Sequence, residues 1–173
     1  LVFIRLAMRS LPLLALLFFT VVVSSPTPRS PQPLSATSTL VDELANGFPR
    51  RFVAYNGYYL TDDGGKHGLT STFHVIAKKE FLEQHWTIEK MNENEVAIRS
   101  IRGHYVAHWY GNDAALTDNP GDWHMLTPVK NADGSWSFKS RYDRWFSGGG
   151  YGKGRLDFMP ENKKCEQWKL ELW

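Results

Sequence analysis

The stretch VAIRSIRGHYVA, residues 96–107, contains the pattern that decides the fold. Apolar or small side chains alternate at Val96, Ile98 and Ser100, and Gly103 separates them from a second apolar segment. An alternation with a period of two places those side chains on one face of a strand, and a turn residue between two such segments predicts a β-hairpin. The same pattern occurs twice more, as RRFVAYNGYYLT at 50–61 and as WSFKSRYDRWFS at 136–147.

Each of the three hairpins is followed by a loop and then by a tryptophan, which gives Trp86, Trp123 and Trp168. We expect these three side chains to fill a shared core. The dipeptide Asp133-Gly134 predicts a further hairpin turn between two repeats. Three units of about 40 residues, with four strands each, are too few for a propeller, which usually needs at least four blades. The pattern therefore predicts an all-β fold, a single β-trefoil over residues 48–173 with about twelve strands, six of which form a barrel that the others cap.

The N-terminal part of the chain has a different composition. Arg5 and Arg9 precede an apolar run at residues 11–23, and two serines follow it, so residues 1–25 read as a secretory signal peptide. A membrane span needs about 20 apolar residues, so no stable span is expected. A signal anchor and a faulty gene model are the alternatives. Residues 26–47 are rich in Pro, Ser and Thr and predict a flexible linker.

Charge and motif content exclude several classes of function. The chain has 20 basic and 18 acidic residues, and two of the basic ones belong to the predicted leader, so the remaining domain is close to neutral. A general attraction to nucleic acid is therefore not expected. The motifs Gly-x-Ser-x-Gly and His-Glu-x-x-His are absent, so we expect neither catalysis nor a cofactor. His104 and His108 are four residues apart on a predicted strand, about 13 Å, which is too far for both to bind one zinc ion.

The motifs of the three repeats, in their order, resemble the fascin family of actin-bundling proteins, which is built from four β-trefoils, and above all its first trefoil. The resemblance extends from about residue 52 to residue 172 and implies a β-trefoil with filamentous actin as its partner. With one trefoil in place of four, it implies filament binding with little or no bundling. It rests on Gln84-His85-Trp86-Thr87-Ile88-Glu89, Val96-Ala97-Ile98-Arg99-Ser100, Asp133-Gly134-Ser135-Trp136-Ser137-Phe138-Lys139-Ser140 and Glu166-Gln167-Trp168-Lys169-Leu170.

The family meets acidic actin through basic residues on loops. Its lysine run before the first tryptophan has a partial counterpart in Lys78 and Lys79, although Glu80 interrupts the run here. Further basic residues cluster near the predicted turns, where they form either a solvated rim of the barrel or a surface for an anionic partner. These residues are Arg99 and Arg102 in repeat two, and Lys139, Arg141 and Arg144 in repeat three.

A second hypothesis is a secreted domain that binds a carbohydrate or an extracellular protein. Gln84-x-Trp86 has the form of the ricin-type lectin signature, but Gly121 and Glu166 occupy the position two residues before the other tryptophans. The candidate ligand-binding residues are Trp109 and Tyr110 in repeat two, and Tyr151 and Lys153 in the glycine-rich segment of repeat three. The two hypotheses predict different locations, since a genuine leader exports the protein, whereas without one it remains in the cytoplasm with the actin cytoskeleton.

Overall fold

The structure is a computed structural model, and it describes residues 39–62, 64, 74–76, 82–149 and 156–173. The predicted leader and most of the predicted linker lie outside the described residues, so both stay predictions. Over the described ranges the chain forms one short α-helix, α1 (Leu40–Leu44), three single-turn 3₁₀ helices and twelve strands. The 3₁₀ helices are Leu82–Gln84, Asp122–His124 and Lys164–Glu166. The strands are β1 (Arg50–Val53), β2 (Tyr59–Thr61), β3 (His74–Ile76), β4 (Trp86–Lys90), β5 (Val96–Ser100), β6 (Tyr105–His108), β7 (Ala114–Thr117), β8 (Leu126–Lys130), β9 (Trp136–Ser140), β10 (Trp145–Ser147), β11 (Asp157–Met159) and β12 (Lys169–Leu172).

Six of the strands close into a barrel. β1 pairs with β12 and β4, β4 with β5, β5 with β8 and β8 with β9, all antiparallel. The ring is completed where Trp136 of β9 and Trp168, just before β12, exchange two backbone hydrogen bonds of 2.8 Å. The remaining strands form the hairpins β2–β3, β6–β7 and β10–β11. This is the β-trefoil that the repeats predict.

The turns that lead from the barrel into the three hairpins share one geometry. In repeat two, the Ser100 N–H donates to the His104 carbonyl at 2.7 Å, and the Ser100 carbonyl accepts from the Gly103 N–H at 2.9 Å. Repeats one and three form the same pair of bonds. The residue equivalent to Gly103 has a positive φ each time, and in repeat three it is Asp143, with a φ of 62°, a residue type that tolerates this conformation. The three predicted turns are therefore confirmed.

The core consists of equivalent side chains from the three repeats. The indole N–H of Trp86 donates to the Leu60 carbonyl at 2.9 Å, and that of Trp168 donates to the Phe146 carbonyl at 3.0 Å. These bonds hold barrel and hairpin of one repeat together. The equivalent core positions, all 0 % exposed, are Phe52, Ile98 and Phe138, then Leu60, Val106 and Phe146, then Trp86, Leu126 and Trp168.

The prediction that Trp123 fills the core is wrong. Its side chain is 43 % exposed, and the core position of repeat two is occupied by Leu126. Strand register shows the equivalence, because Leu126 lies opposite Ser140 as Trp86 lies opposite Ser100. Trp123 belongs instead to the 3₁₀ helix that precedes this core position.

Helix α1 belongs to the packed part of the chain although it precedes residue 48. Val41 and Leu44 are each 2 % exposed and are members of the core. Thr39 caps the helix, since its hydroxyl accepts from the Asp42 N–H at 3.2 Å while the Asp42 carboxylate accepts from the Thr39 N–H at 3.3 Å. The packed domain therefore includes a part of residues 26–47, which the composition assigns to a linker.

Gly148→Ala is expected to destabilise the domain by about 1–3 kcal/mol, the usual cost of overpacking a core. Gly148 begins the glycine-rich segment and is buried. A Cβ there would lie 2.7 Å from Cη2 of Trp168 and 2.9 Å from Cβ of Ala54, so the Trp168 indole would have to move. Urea denaturation measures the change.

Gly121→Ala is the matched control, because its Cβ would approach no atom closer than 3.9 Å. Equal free energies of unfolding for the two variants would contradict this account of the Gly148 contact.

Candidate functional site

Aromatic side chains from repeats two and three form an exposed cluster. Tyr110, Trp123 and Tyr142 are 83 %, 43 % and 47 % exposed, and Trp109 is partly buried. The ring centroids of Trp109 and Trp123 are 6.2 Å apart, and Trp123 stacks on Tyr142 at 5.0 Å and 28°. Beside these rings lies a groove of about 480 Å³, lined by Trp109, Tyr110, Asp113 and Trp123, which we call the aromatic groove.

The loop between β6 and β7 is fixed by its own backbone and by a neighbouring strand. The Trp109 N–H donates to the Asp113 carbonyl at 2.8 Å. Gly111 reverses the chain with a φ of 71°, a conformation that favours glycine. The Asn112 carbonyl accepts from the N–H of Phe158 on β11 at 2.6 Å. The rings of Trp109 and Tyr110 are therefore presented by an ordered turn.

His108 supports this loop from below. Its Nε2–H donates to the Gly111 carbonyl at 2.9 Å, which leaves Nδ1 to accept from the Ser140 hydroxyl at 2.8 Å. The imidazole is 3 % exposed and stacks on Phe158 at 4.4 Å. Burial lowers the pKa of His108, the hydrogen bond to Gly111 opposes this effect, and the positive charge of Arg144 adds to it. His108 therefore acts as a neutral hydrogen-bonding support.

Trp123 is oriented by the residue that follows it. His124 is buried, its Nδ1 accepts from the Gly121 N–H at 2.7 Å, and its Nε2–H donates to the Thr117 hydroxyl. In repeat three the Glu166 carboxylate accepts from a backbone N–H at the same place. Burial lowers the pKa of His124. Because this side chain is directed inward and bound on both sides, the preceding Trp123 lies at the surface.

An ion-pair network holds Tyr142 close to Trp123. Arg141, next to Tyr142, donates from Nε and Nη2 to the two carboxylate oxygens of Glu95 at 3.0 and 3.1 Å. Its Nη1 donates to Asp122, next to Trp123, at 2.9 Å. The hydrogen bonds from Arg141 lower the pKa of Glu95, although burial acts against them. The network therefore fixes the two turns that carry Trp123 and Tyr142.

Two further predicted basic residues, Arg99 and Arg102, lie in local ion pairs. Arg99 pairs with Glu89 at 3.3 Å, and Arg102 pairs with Glu83 at 3.2 Å. Like Arg141, these guanidinium groups are partly neutralised by carboxylates of the protein. Arg144 lies close enough to His108 to affect its pKa. Lys78, Lys79, Tyr151 and Lys153 lie outside the described residues, and their roles stay predictions.

Sequence reasoning found Trp109 and Tyr110 but not their neighbours in the groove. The repeat pattern places Trp123 in the core, His108 enters only as an excluded zinc ligand, and neither Asp113 nor Tyr142 is indicated as part of a site. A correct alignment of the repeats could have found Trp123. It would match Gln84-x-Trp86 with His124-x-Leu126 and Glu166-x-Trp168, which places Trp123 outside the core and leaves the lectin-type signature in repeat one alone.

No group of three or more His, Cys, Asp or Glu side chains in the described part of the chain is placed to hold a metal ion. None of the helices formed by these residues is long and apolar enough to cross a membrane.

Comparison with known proteins supports the fold. No family model and no curated protein sequence matches the chain. ThreeFoil, a designed three-fold symmetric protein, aligns with a TM-score of 0.59 and 13 % identity over 70 % of this chain and 96 % of its own. SeviL, in a structure with a bound asialo-GM1 saccharide, aligns with a TM-score of 0.58 and 13 % identity over 72 % of this chain and 98 % of its own.

A third solved structure is an enzyme of which this chain matches only a part. The endo-β-galactosidase of Clostridium perfringens that releases GlcNAcα1-4Gal aligns with a TM-score of 0.60 and 15 % identity, over 73 % of this chain but 32 % of the enzyme. At these identities the likeness concerns the fold. The three structures support a β-trefoil and do not single out the fascin family.

His108→Gln is expected to flatten the pH dependence of stability below neutral pH. The folded state holds the His108 pKa below the value of about 6.5 that an unfolded chain shows, so the unfolded state takes up the proton first as the pH falls. The contribution of His108 is therefore complete above about pH 6.5 and is lost as the pH falls from there through the folded-state pKa.

Urea midpoints at about pH 7.5, 6.5 and 5.5 provide the measurement. Glutamine keeps a donor and an acceptor but does not titrate in this range. Parallel curves for the variant and the unchanged protein would show that His108 does not contribute.

Proposed function

We propose that this domain is a non-catalytic binding module for carbohydrate, and that the ligand lies in the aromatic groove. The observation behind this proposal is the groove itself, in which Trp109, Tyr110 and Trp123 surround about 480 Å³ beside the carboxylate residue Asp113. Ligand sites commonly combine an apolar lining with a few polar groups.

The chemistry of a sugar ring fits such a lining. One face of a hexose exposes mainly C–H groups, and its rim exposes hydroxyl groups. The face of an aromatic ring binds the C–H face of a hexose, because the ring is apolar and its π-system is electron-rich. The tyrosine hydroxyl and the indole N–H, at the edges of their rings, can form hydrogen bonds with the sugar hydroxyl groups. Asp113 also lines the groove, and a carboxylate is an acceptor suited to sugar hydroxyls.

Pre-organisation favours a binding role for these rings. Loop 109–113 is held by the bonds to His108 and Phe158, and Tyr142 is held by the Arg141 network. Because the rings are already positioned, less conformational entropy is lost when a ligand binds. Large aromatic side chains exposed together are also a usual mark of an interaction site.

The similar structures agree with this proposal without establishing it. SeviL has the same fold and holds the saccharide of asialo-GM1, and the Clostridium enzyme acts on a galactoside. At 13 and 15 % identity these likenesses concern the fold. The proposal therefore depends on the groove of this chain.

Actin-filament binding, which the resemblance to fascin implies, is the second hypothesis. The described residues offer it less support, because Arg99, Arg102 and Arg141 are paired with carboxylates. Its main candidates, Lys78 and Lys79, lie outside the described residues. Export through the predicted leader fits the carbohydrate proposal better, since glycans are abundant outside the cell.

Trp123→Ala is expected to weaken binding to the best ligand from a glycan array by about tenfold, since an aromatic contact contributes about 0.5–1.5 kcal/mol beyond its burial. Isothermal calorimetry measures the affinity. Tyr58→Ala is the matched control, because Tyr58 is an exposed aromatic residue of repeat one outside the groove. Equal affinities for both variants would place the ligand elsewhere, and an array without binding would remove the proposal.

Co-sedimentation with filamentous actin tests the second hypothesis. We expect no pelleting at physiological ionic strength, where exposed charges are screened over about 8 Å. Pelleting that Lys78→Glu with Lys79→Glu abolishes would support actin binding and contradict the carbohydrate proposal.

Secretion is tested by N-terminal sequencing of the protein from expressing eukaryotic cells. We expect a mature chain that begins just after Ser24 or Ser25 in the culture medium, because small residues at the end of the apolar run suit cleavage. Uncleaved protein in the cytosol would refute export.

A further inference from the structure

A second depression, of about 250 Å³, lies between repeats three and one and shares no residue with the aromatic groove. Tyr55 from the β1–β2 turn and Ser135 just before β9 contribute to its lining. Lys164 contributes from the third 3₁₀ helix, Lys169 from the start of β12, and Gln167 from the segment between them. We call it the lysine depression.

The equivalent place between repeats two and three carries different charged side chains. Val96 lies opposite Leu126 as Trp136 lies opposite Trp168, so Glu95 and Ser135 are equivalent residues. Asp122 and Lys164 correspond, because each lies four residues before the equivalent core residues Leu126 and Trp168. Arg141 and Tyr55 correspond, because each lies three residues after the equivalent core residues Phe138 and Phe52.

The sign of the charge is reversed between these two places. Between repeats two and three, the cation Arg141 is satisfied within the protein by Glu95 and Asp122. Between repeats three and one, Lys164 occupies the position that corresponds to Asp122. The uncharged side chains of Ser135 and Tyr55 occupy the positions that correspond to Glu95 and Arg141. Among the described residues neither Lys164 nor Lys169 forms an ion pair, whereas the neighbouring Lys163 pairs with Glu161 at 2.6 Å.

One carboxylate belongs to the described lining, and it is largely engaged in its own turn. Asp133 accepts from the Ser135 N–H at 3.0 Å and from the Ser135 hydroxyl at 2.5 Å. These two bonds lower its pKa, and the charge of Lys169 contributes in the same direction. Two ammonium groups thus face one carboxylate, and the depression keeps an excess of positive charge.

We propose that the lysine depression binds the sulfate group of a sulfated sugar. Lys164 and Lys169 supply charge-assisted hydrogen bonds to an oxyanion, and the Gln167 amide is a neutral donor at the same place. The Tyr55 ring offers an apolar surface for the sugar that carries the group. The choice of a sugar as carrier rests on the proposed carbohydrate-binding function, whereas the anion site rests on the depression alone.

The test is a titration of the purified protein with a sulfated disaccharide, its unsulfated form, inorganic sulfate and inorganic phosphate, followed by amide NMR shifts. We expect the sulfated disaccharide and inorganic sulfate to shift resonances of residues 164–169, and the unsulfated form to leave them unchanged. Inorganic phosphate is expected to bind more weakly than the sulfated disaccharide, because it lacks the contact with Tyr55.

Lys164→Ala with Lys169→Ala should weaken binding of the sulfated disaccharide at least about tenfold. Lys163→Ala, an adjacent lysine that is already paired, should change it less than about twofold. Unchanged affinity in the double variant, or equal binding of the unsulfated form, would overturn the proposal. Equal affinity for inorganic phosphate and the sulfated disaccharide would reject the sugar as carrier.

The two sites are distinguishable in the same experiment. Trp123→Ala should reduce binding of neutral glycans and leave the sulfate-induced shifts at residues 164–169 unchanged. The double lysine variant should do the reverse. Failure of the aromatic groove to bind any glycan would therefore leave the sulfate result interpretable on its own.

Discussion

The ring of Phe52 lies at the centre of the contacts that close the barrel. Its centroid is 5.6 Å from that of Phe138, 6.0 Å from Trp168 and 6.5 Å from Trp86, so side chains of repeats one and three meet around it. On the backbone, Phe52 of β1 lies opposite Leu170 of β12. Closure removes the free strand edges that an open sheet would expose. It also fixes where each repeat presents its turns, and therefore the position of both candidate sites.

The core follows the three-fold repeat, whereas the surface departs from it. In repeat two the smaller Leu126 takes the core position that tryptophan occupies in the other repeats, while a tryptophan three residues earlier remains at the surface. Between repeats two and three, one set of positions holds Arg141 with Glu95 and Asp122. Between repeats three and one, the equivalent set holds Tyr55 with Ser135 and Lys164. The core positions are constrained by close packing and the surface ones are not, so chemical differences between repeats accumulate at the surface.

Polar groups connect the aromatic groove to the packed interior. His108 reaches from the Gly111 carbonyl under the loop to Ser140 at the end of β9, and its ring lies on Phe158. His124 connects Gly121 with Thr117 beneath Trp123. Buried polar groups of this kind are stable when their hydrogen bonds are made, and they then specify one arrangement of the chain. The neutral form of both imidazoles is part of that arrangement.

The amino-acid pattern alone was sufficient to predict the repeat, the hairpins and the β-trefoil, because alternating side chains and turn residues such as Gly103, Asp143 and Asp133-Gly134 act within a few residues of one another. It also indicated Trp109 and Tyr110 as surface aromatics. The exposure of Trp123 became evident from the register between β8 and β9, which places Leu126 in the core, although a correct alignment of the repeats would also have indicated it. Only the tertiary structure decided which charges are paired, because Arg141 and Glu95 are 46 residues apart in the chain and meet only when the barrel closes.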